Sequence, residues 1–204
     1  MADPQLLVAA IPPTELTPAV RTAVLQLTDE NALLRASLAE MRERLAELEQ
    51  VADSDTLTPL PNRRAFLKAL DRAIGQASRH HTPAALLHID ILGLHEINAA
   101  HGQFAGDAAL IHVARLLAGL IRSTDVAARL GGDEFALLLD HLDHNSAIDT
   151  ADRIVQCIAD NPVDLGGTSA RLRAHVGVAT VLGGDSADDV MHRAQRALRL
   201  SKAA

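Results

Sequence analysis

The sequence contains no tryptophan, no tyrosine and only three phenylalanines in 204 residues, although 48% of it is hydrophobic. Any core must therefore be built from Leu, Ile, Val and Ala. A single-strand nucleic-acid binder needs aromatic stacking platforms and a basic groove. Three Phe and a formal charge of −7, from 19 basic against 26 acidic residues, argue against both. The single cysteine, Cys157, excludes a disulfide framework and any multi-cysteine metal site; it reads as a small buried hydrophobe. No apolar run approaches the roughly 20 residues that a membrane span needs. No basic residue precedes the short apolar segment 6–11, so a secretory signal is not expected either. The expected location is the cytoplasm, with neither nucleic acid nor membrane as a partner. What remains is a globular composition with room for one domain of about 150 residues and a smaller appendage.

Proline punctuates the beginning of the chain at Pro4, Pro12, Pro13 and Pro18, so residues 1–17 are expected to form a loose, disordered arm. Residues 18–51 then carry a different pattern. Val20, Val24, Leu27, Asn31, Leu34, Leu38, Met41, Leu45 and Leu48 are spaced alternately by 4 and 3, with no Gly or Pro between them. This heptad seam has Leu-rich d positions, a β-branched Val24 at a and one Asn31 at a, a combination that suits a parallel two-stranded coil. Glu30–Arg35 and Arg44–Glu49 supply oppositely charged g-to-e′ pairs. The expectation is a coiled-coil homodimer; the alternative is an amphipathic helix packed on its own domain.

Residues 52–204 alternate helical and strand periodicities. Helices are expected at 62–80, 94–101, 105–121, 146–160 and 185–202, and strands at 84–91, 126–130, 134–139 and 172–181. That order mixes hairpins with crossovers and predicts an α+β domain with a mainly antiparallel sheet. The segment Arg129-Leu-Gly-Gly-Asp-Glu-Phe135 carries the most chemistry. Gly131 and Gly132 make a tight turn that lets backbone approach a ligand closely, and two acids, Asp133 and Glu134, follow at once. Read alone, this is more readily a hairpin with solvated acids. Asp90, near the end of the apolar strand at 84–91, adds a carboxylate that burial would leave costly unless it is paired. A divalent cation shared by Asp90 and Glu134 would satisfy both. Hard oxygen ligands favour Mg²⁺ or Mn²⁺, and with magnesium a triphosphate substrate.

In order and spacing, four segments now agree. DTLTPLPNRRAF (55–66), HIDILGLHEINAAHGQFAGD (88–107), RLGGDEF (129–135) and AHVGVA (174–179) are similar to the signatures of the GGDEF family of diguanylate cyclases, over about 150 residues. The resemblance implies a GGDEF domain at 52–204, a fold like that of nucleotidyl cyclases and the polymerase palm, with a five-stranded, mostly antiparallel sheet flanked by helices. It implies that two GTP condense to cyclic di-GMP and two pyrophosphates across a dimer. Asp90, the Ile91 carbonyl and Glu134 match metal-binding positions, and Asp133 matches an essential acid that is a metal ligand and possible base. Gly131 and Gly132 would pass the phosphates over the turn. Asn98 and Asp107 match guanine-reading positions; a carboxylate can accept both N–H groups of the guanine edge, which adenine lacks. Lys202 matches a phosphate contact. Arg122 and Asp125 fall where the family places an RxxD product-inhibition site, and both side chains suit guanine and phosphate recognition.

Several positions depart from the family pattern. Pro59 replaces a Gly, Leu92 an acid, His95 a phosphate-touching Lys, Ala99 an Asp and Gln103 a His. Gly93 and Leu94 stand where aromatics are usual, and Gln195, Arg199 and Ser201 replace Asp, Tyr and Ala. The sequence stops before the family's GRN and its second phosphate-contacting Arg. His95 keeps its place beside the phosphates without a fixed charge near neutrality. Because Asp90, Asp133 and Glu134 are all present, the expected function is an active cyclase. The alternatives are a catalytically inactive receptor that binds cyclic di-GMP through Arg122 and Asp125, and a dimerisation partner without a ligand. A protein regulator acting on the N-terminal region is a further expectation. His80, His81, His141 and His144 read as surface histidines.

Overall fold

The structure is a computed structural model that describes residues 17–203. The arm expected at 1–17 lies, Thr17 apart, outside the described residues. The chain divides into two units, Met1–Ala52 and Asp53–Ala204.

The first unit is dominated by one 36-residue helix, α1 (Pro18–Asp53). Pro18 opens it at a position where no intrahelical N–H is required, and the Thr17 hydroxyl accepts from the Val20 N–H at 3.3 Å. No side chain of α1 is buried. The heptad residues Leu27, Leu34, Met41 and Leu48 are each at least 60% exposed, so the apolar seam runs the length of the helix as an open stripe.

The second unit is built on an antiparallel sheet of order β2-β3-β1-β6. Its strands are β1 (Ala84–Leu92), β2 (Val126–Gly131), β3 (Glu134–Asp140) and β6 (Arg173–Val181). The helices are α2 (Arg63–His80), α3 (Leu94–His101), α4 (Gln103–Leu120), α5 (His144–Asp160) and α6 (Ala187–Ser201). Strand alternation sorts β1 onto two cores. Leu87, Ile89 and Ile91 join Phe135, Val113, Leu117, Ile154 and Ile158 on one face. Ala84 and Leu86 join Phe66, Leu70, Ala179, Met191 and Ala194 on the other. Of the three Phe, Phe66 and Phe135 are fully buried while Phe104 is 91% exposed, so the core is aliphatic around two aromatic rings.

The strand count differs from the expected five. Four strands pair in the main sheet, and β4 (Val163–Asp164) and β5 (Ser169–Ala170) form a separate two-stranded ribbon. Two-residue strands carry no periodicity to read. Helix starts also moved. Asp143 accepts from the Ser146 N–H and begins α5 at His144, and a Ser186–Asp189 capping box begins α6 at Ala187. Close packing fixes the position of α6: a Cβ on Gly177 of β6 would collide with the α6 backbone at Ala194 and Leu198. That approach carries the end of α6 to the edge where β1 ends.

Candidate active site

The turn between β2 and β3 needs its glycines. Gly131 has φ 138° and Gly132 φ 56°, backbone conformations that side chains disfavour. Arg129 holds the turn from within the hairpin. Its Nε and one Nη donate to the Gly132 carbonyl at 3.0 and 2.7 Å, and the other Nη donates to Asp55 at 3.2 Å. Asp55 in turn accepts from the Leu57 and Thr58 N–H groups and the Thr58 hydroxyl. Burial alone would raise the Asp55 pKa, but the hydrogen bonds from Thr58 and Arg129 outweigh it and hold the carboxyl below its ordinary value. The Arg129 N–H also donates to the Pro61 carbonyl at 2.9 Å. The 55–61 segment is thus a brace for the glycine turn.

The turn is fastened to the end of β1. The Ile91 N–H donates to the Asp133 carbonyl at 3.1 Å, and Asp90 lies opposite Glu134 in the β1–β3 register. Asp90 is 7% exposed, and the Lys202 ammonium, at the end of α6, sits 2.8 Å from its Oδ2. Lys202 therefore neutralises the buried carboxylate here rather than standing free for phosphate. Glu134 is half-buried, with Oε2 3.5 Å from Nε2 of His88. Burial pushes the His88 pKa down, against the pull of Glu134. Among the described residues, no three His, Cys, Asp or Glu side chains form a ready-made metal cluster. The donors at this edge are hard oxygens, the carboxylates of Asp90, Asp133 and Glu134 and the Ile91 carbonyl. Such a set suits a hard divalent cation that draws its remaining ligands from phosphate and water.

A cavity of about 660 Å³ opens beside this edge. Asp133, the turn at Leu92–His95, Arg171 and Arg173 border it. Leu92 faces Arg173 across the β1–β6 register, which places Arg173 on the Asp90 side of the sheet. Neither Arg171 nor Arg173 pairs with an acid among the described residues, unlike Arg64, Arg129 and Arg193. His95 is exposed and lines the cavity. Asn98 and Asp107 do not line it. They stand instead at the α3–α4 corner, where the Asn98 amide oxygen occupies the space that a Cβ on Gly106 would need; Asp107 is the next residue.

The Arg122–Asp125 corner lies between α4 and β2. Asp125 Oδ2 accepts from the Arg122 N–H at 2.9 Å and Oδ1 from the Asp140 N–H at 3.1 Å. Both carboxylate oxygens thus already serve the backbone. The Arg122 side chain makes no ion pair among the described residues and is exposed. The adjoining hollow measures only about 70 Å³.

Comparison with known proteins now adds a decisive observation. The family described as "Diguanylate cyclase, GGDEF domain" matches residues 52–204. The chain belongs to the GGDEF family. It is 36% identical over 180 residues to the diguanylate cyclase TpbB of Pseudomonas aeruginosa, covering 85% of this chain and 41% of that protein. The coiled coil and GGDEF domain of DgcB from Caulobacter crescentus, solved in complex with c-di-GMP, superpose with a TM-score of 0.76 at 29% identity, covering 87% of this chain and 94% of that one. The diguanylate cyclase SiaD of Pseudomonas aeruginosa, solved in complex with its activator SiaC, gives a TM-score of 0.75 at 26% identity, over 93% and 73% of the two chains. The chain spans 25% and 41% of the length of the first two curated relatives that it matches.

In this GGDEF domain the motif residues were legible, but their supports were not. Arg129 and Asp55 were visible only as letters within motifs, and the ion pair between them joins segments 74 residues apart. Arg171 precedes β6 and Arg173 opens it, and no motif marks either. His88 had a signal that was available: it interrupts an apolar strand at an even step from Asp90, so alternation puts the two side chains on one face. Among the described residues, no helix is long and apolar enough to cross a membrane.

Proposed function

We propose that this chain is a diguanylate cyclase acting as a homodimer, converting two GTP into cyclic di-GMP and two pyrophosphates. The observation that carries the reading is the placement of three acids on adjoining backbone at one edge of the sheet. Asp90 faces Glu134 across the β1–β3 register, and Asp133, tied to Ile91 through its backbone, borders a cavity large enough for a nucleotide tail. Each 3′-oxygen forms a bond to the α-phosphorus of the other nucleotide, the bond from that phosphorus to the β-phosphate bridge breaks, and pyrophosphate leaves. Asp133 and Glu134 are the candidate acceptors of the hydroxyl proton. Asp90, Asp133, Glu134 and the Ile91 carbonyl would hold Mg²⁺ or Mn²⁺, which supplies charge neutralisation on the phosphates and a lowered pKa for the attacking hydroxyl.

Phosphate binding falls to the 92–95 turn, Lys202, His95, and Arg171 and Arg173, which line the cavity and pair with no acid among the described residues. The charge of those arginines offsets the missing cation at position 95. Lys202 would reach a phosphate by releasing Asp90, whose carboxylate would then be free to help hold the metal. Gly131 and Gly132 give the phosphates room over the turn. Asn98 and Asp107 read the guanine from the α3–α4 corner, outside the cavity. Arg122 and Asp125 are the product-inhibition site. The open stripe of α1 pairs with its copy in a parallel coil, as a coiled coil accompanies the GGDEF domain in DgcB. A protein regulator acting on the N-terminal region belongs to the same proposal, since SiaD is solved with an activator. The cytoplasm is the proposed location.

The test is incubation with millimolar GTP and Mg²⁺, after sedimentation has verified the dimer. Cyclic di-GMP is the expected product, and its absence sinks the reading. The Lys202–Asp90 ion pair favours one alternative, a receptor that binds cyclic di-GMP without making it. Binding of cyclic di-GMP that is lost in Arg122→Ala, with no turnover in the wild type, would establish that alternative.

A further inference from the structure

Three polar residues are buried in the described structure: Thr58, His88 and Asp90. Thr58 bonds to Asp55 and Asp90 to Lys202. His88 is 2% exposed, and neither ring nitrogen has a hydrogen-bond partner. It is the orphan of the core. Its neighbours across the two flanking strands are the small residues Ala136 and Gly177, and the α6 backbone at Ala194 and Leu198 closes the slot over Gly177. Stability alone favours leucine in such a slot, because a buried polar group without a partner is costly and an apolar group of similar size is not.

The polar and charged groups around the ring all belong to one edge. Glu134 Oε2 lies 3.5 Å from Nε2, Asp90 lies two residues on along the same face, and Arg63 of α2 contributes a more distant positive charge. A movement of about half an ångström would bring Nε2 and the carboxylate to hydrogen-bond distance.

We propose that His88 is a positioning residue for Glu134: the buried imidazole donates its Nε2–H to Oε2, fixing the rotamer that turns the carboxylate toward the nucleotide edge. The inference rests on Glu134 acting in the reaction proposed above. It assigns to the buried ring a role that packing does not explain, and it predicts that stability and activity respond to substitution in opposite directions.

The experiment compares His88→Leu and His88→Gln with the wild-type chain. His88→Leu should raise the melting temperature, by about 2–4 °C, yet lower kcat for GTP at least tenfold, with KM changed less than twofold. His88→Gln has an amide N–H that can reach the same oxygen and should restore at least a third of the wild-type kcat. Full activity in His88→Leu, or no recovery in His88→Gln, overturns the proposal. A second readout needs no turnover. Nitrogen-15 spectra of the imidazole should show the Nε2–H tautomer, with the Nε2 signal moving in Glu134→Ala. An Nδ1–H tautomer, or a signal indifferent to Glu134→Ala, overturns it as well. A wild-type chain that makes no product would instead count against the cyclase reading, leaving the spectra to judge His88.

Discussion

Two corners of the GGDEF domain carry motif residues, and they differ in how those residues are employed. At the β1–β3 edge, function-bearing groups are held back from local structure. Among the described residues, neither ring nitrogen of His88 has a hydrogen-bond partner, Arg171 and Arg173 pair with no acid, and Asp133 borders a cavity of about 660 Å³. At the Arg122–Asp125 corner, both oxygens of Asp125 bind backbone N–H groups, and the hollow is about 70 Å³. The same residue type, aspartate beside glycine or a turn, is a reagent in one place and a brace in the other. A motif names the residue, while hydrogen-bond accounting shows what capacity it has left.

The sharpest way to break this contrast is to remove the acid at the open edge. Asp133→Ala should lower turnover by about 10²–10⁴-fold, the range expected when a positioned base is lost, and leave cyclic di-GMP binding within about twofold. Turnover assays and calorimetry on one preparation check both. Equal losses of turnover and product binding would show that the two corners are not independent.

The brace behind the turn comes next. Arg129→Ala removes the donor to Gly132 and strands Asp55, whose side chain is only 14% exposed. Denaturant unfolding should show a loss of about 2–3 kcal/mol, at the low end for breaking a buried pair because some solvent reaches it. Acid sharpens the test. The folded-state pKa of Asp55 is held below its ordinary 3.8, so the pair contributes fully above that value and its contribution fades as pH falls through the depressed folded value. The stability gap between wild type and Arg129→Ala should be constant near neutrality and close below about pH 4. A gap that widens in acid would contradict the assignment.

A smaller effect belongs to the cavity wall. Arg171→Ala and Arg173→Ala should each raise KM for GTP by about fivefold, close to 1 kcal/mol, with kcat and melting temperature nearly unchanged. Unchanged KM in the double variant would remove these arginines from the phosphate site.

How much of this was legible in the sequence follows the range of the interactions. Helix and strand identity is local, and the spacing of Leu, Ile and Val revealed every long element. The acids and the amide of the motifs, Asp90, Asn98, Asp107, Asp133 and Glu134, were legible through the resemblance to the family's motifs. Partnerships across the fold were not. Lys202 on Asp90 joins residues at opposite ends of the domain, Arg129 on Asp55 joins two motifs, and the ribbon of β4 and β5 has strands too short to set a period. His88 lay between the two cases: alternation put it beside Asp90, but only the folded core shows that it has no partner.

The smallest predicted effect judges the comparison most directly. Arg122 and Asp125 form one motif, yet the structure gives them different work. The Arg122 side chain bonds to nothing among the described residues, so Arg122→Ala should leave unfolding free energy within about 0.5 kcal/mol of wild type, as for an ordinary surface substitution. Asp125→Ala leaves the Arg122 and Asp140 N–H groups without their acceptor and should cost about 1–2 kcal/mol, moderated by water reaching the exposed side of the corner. Both variants should lose cyclic di-GMP binding, for separate reasons: one loses a ligand contact, the other the turn that presents it. Asp125→Asn separates these reasons, because the amide keeps one oxygen to accept a backbone N–H but cannot accept both guanine donors as a carboxylate can. Near-wild-type stability with lost binding in Asp125→Asn would mean that the carboxylate itself meets the ligand, so that this corner, too, holds chemical capacity in reserve. Retained binding would leave Asp125 as a brace and Arg122 as the contact.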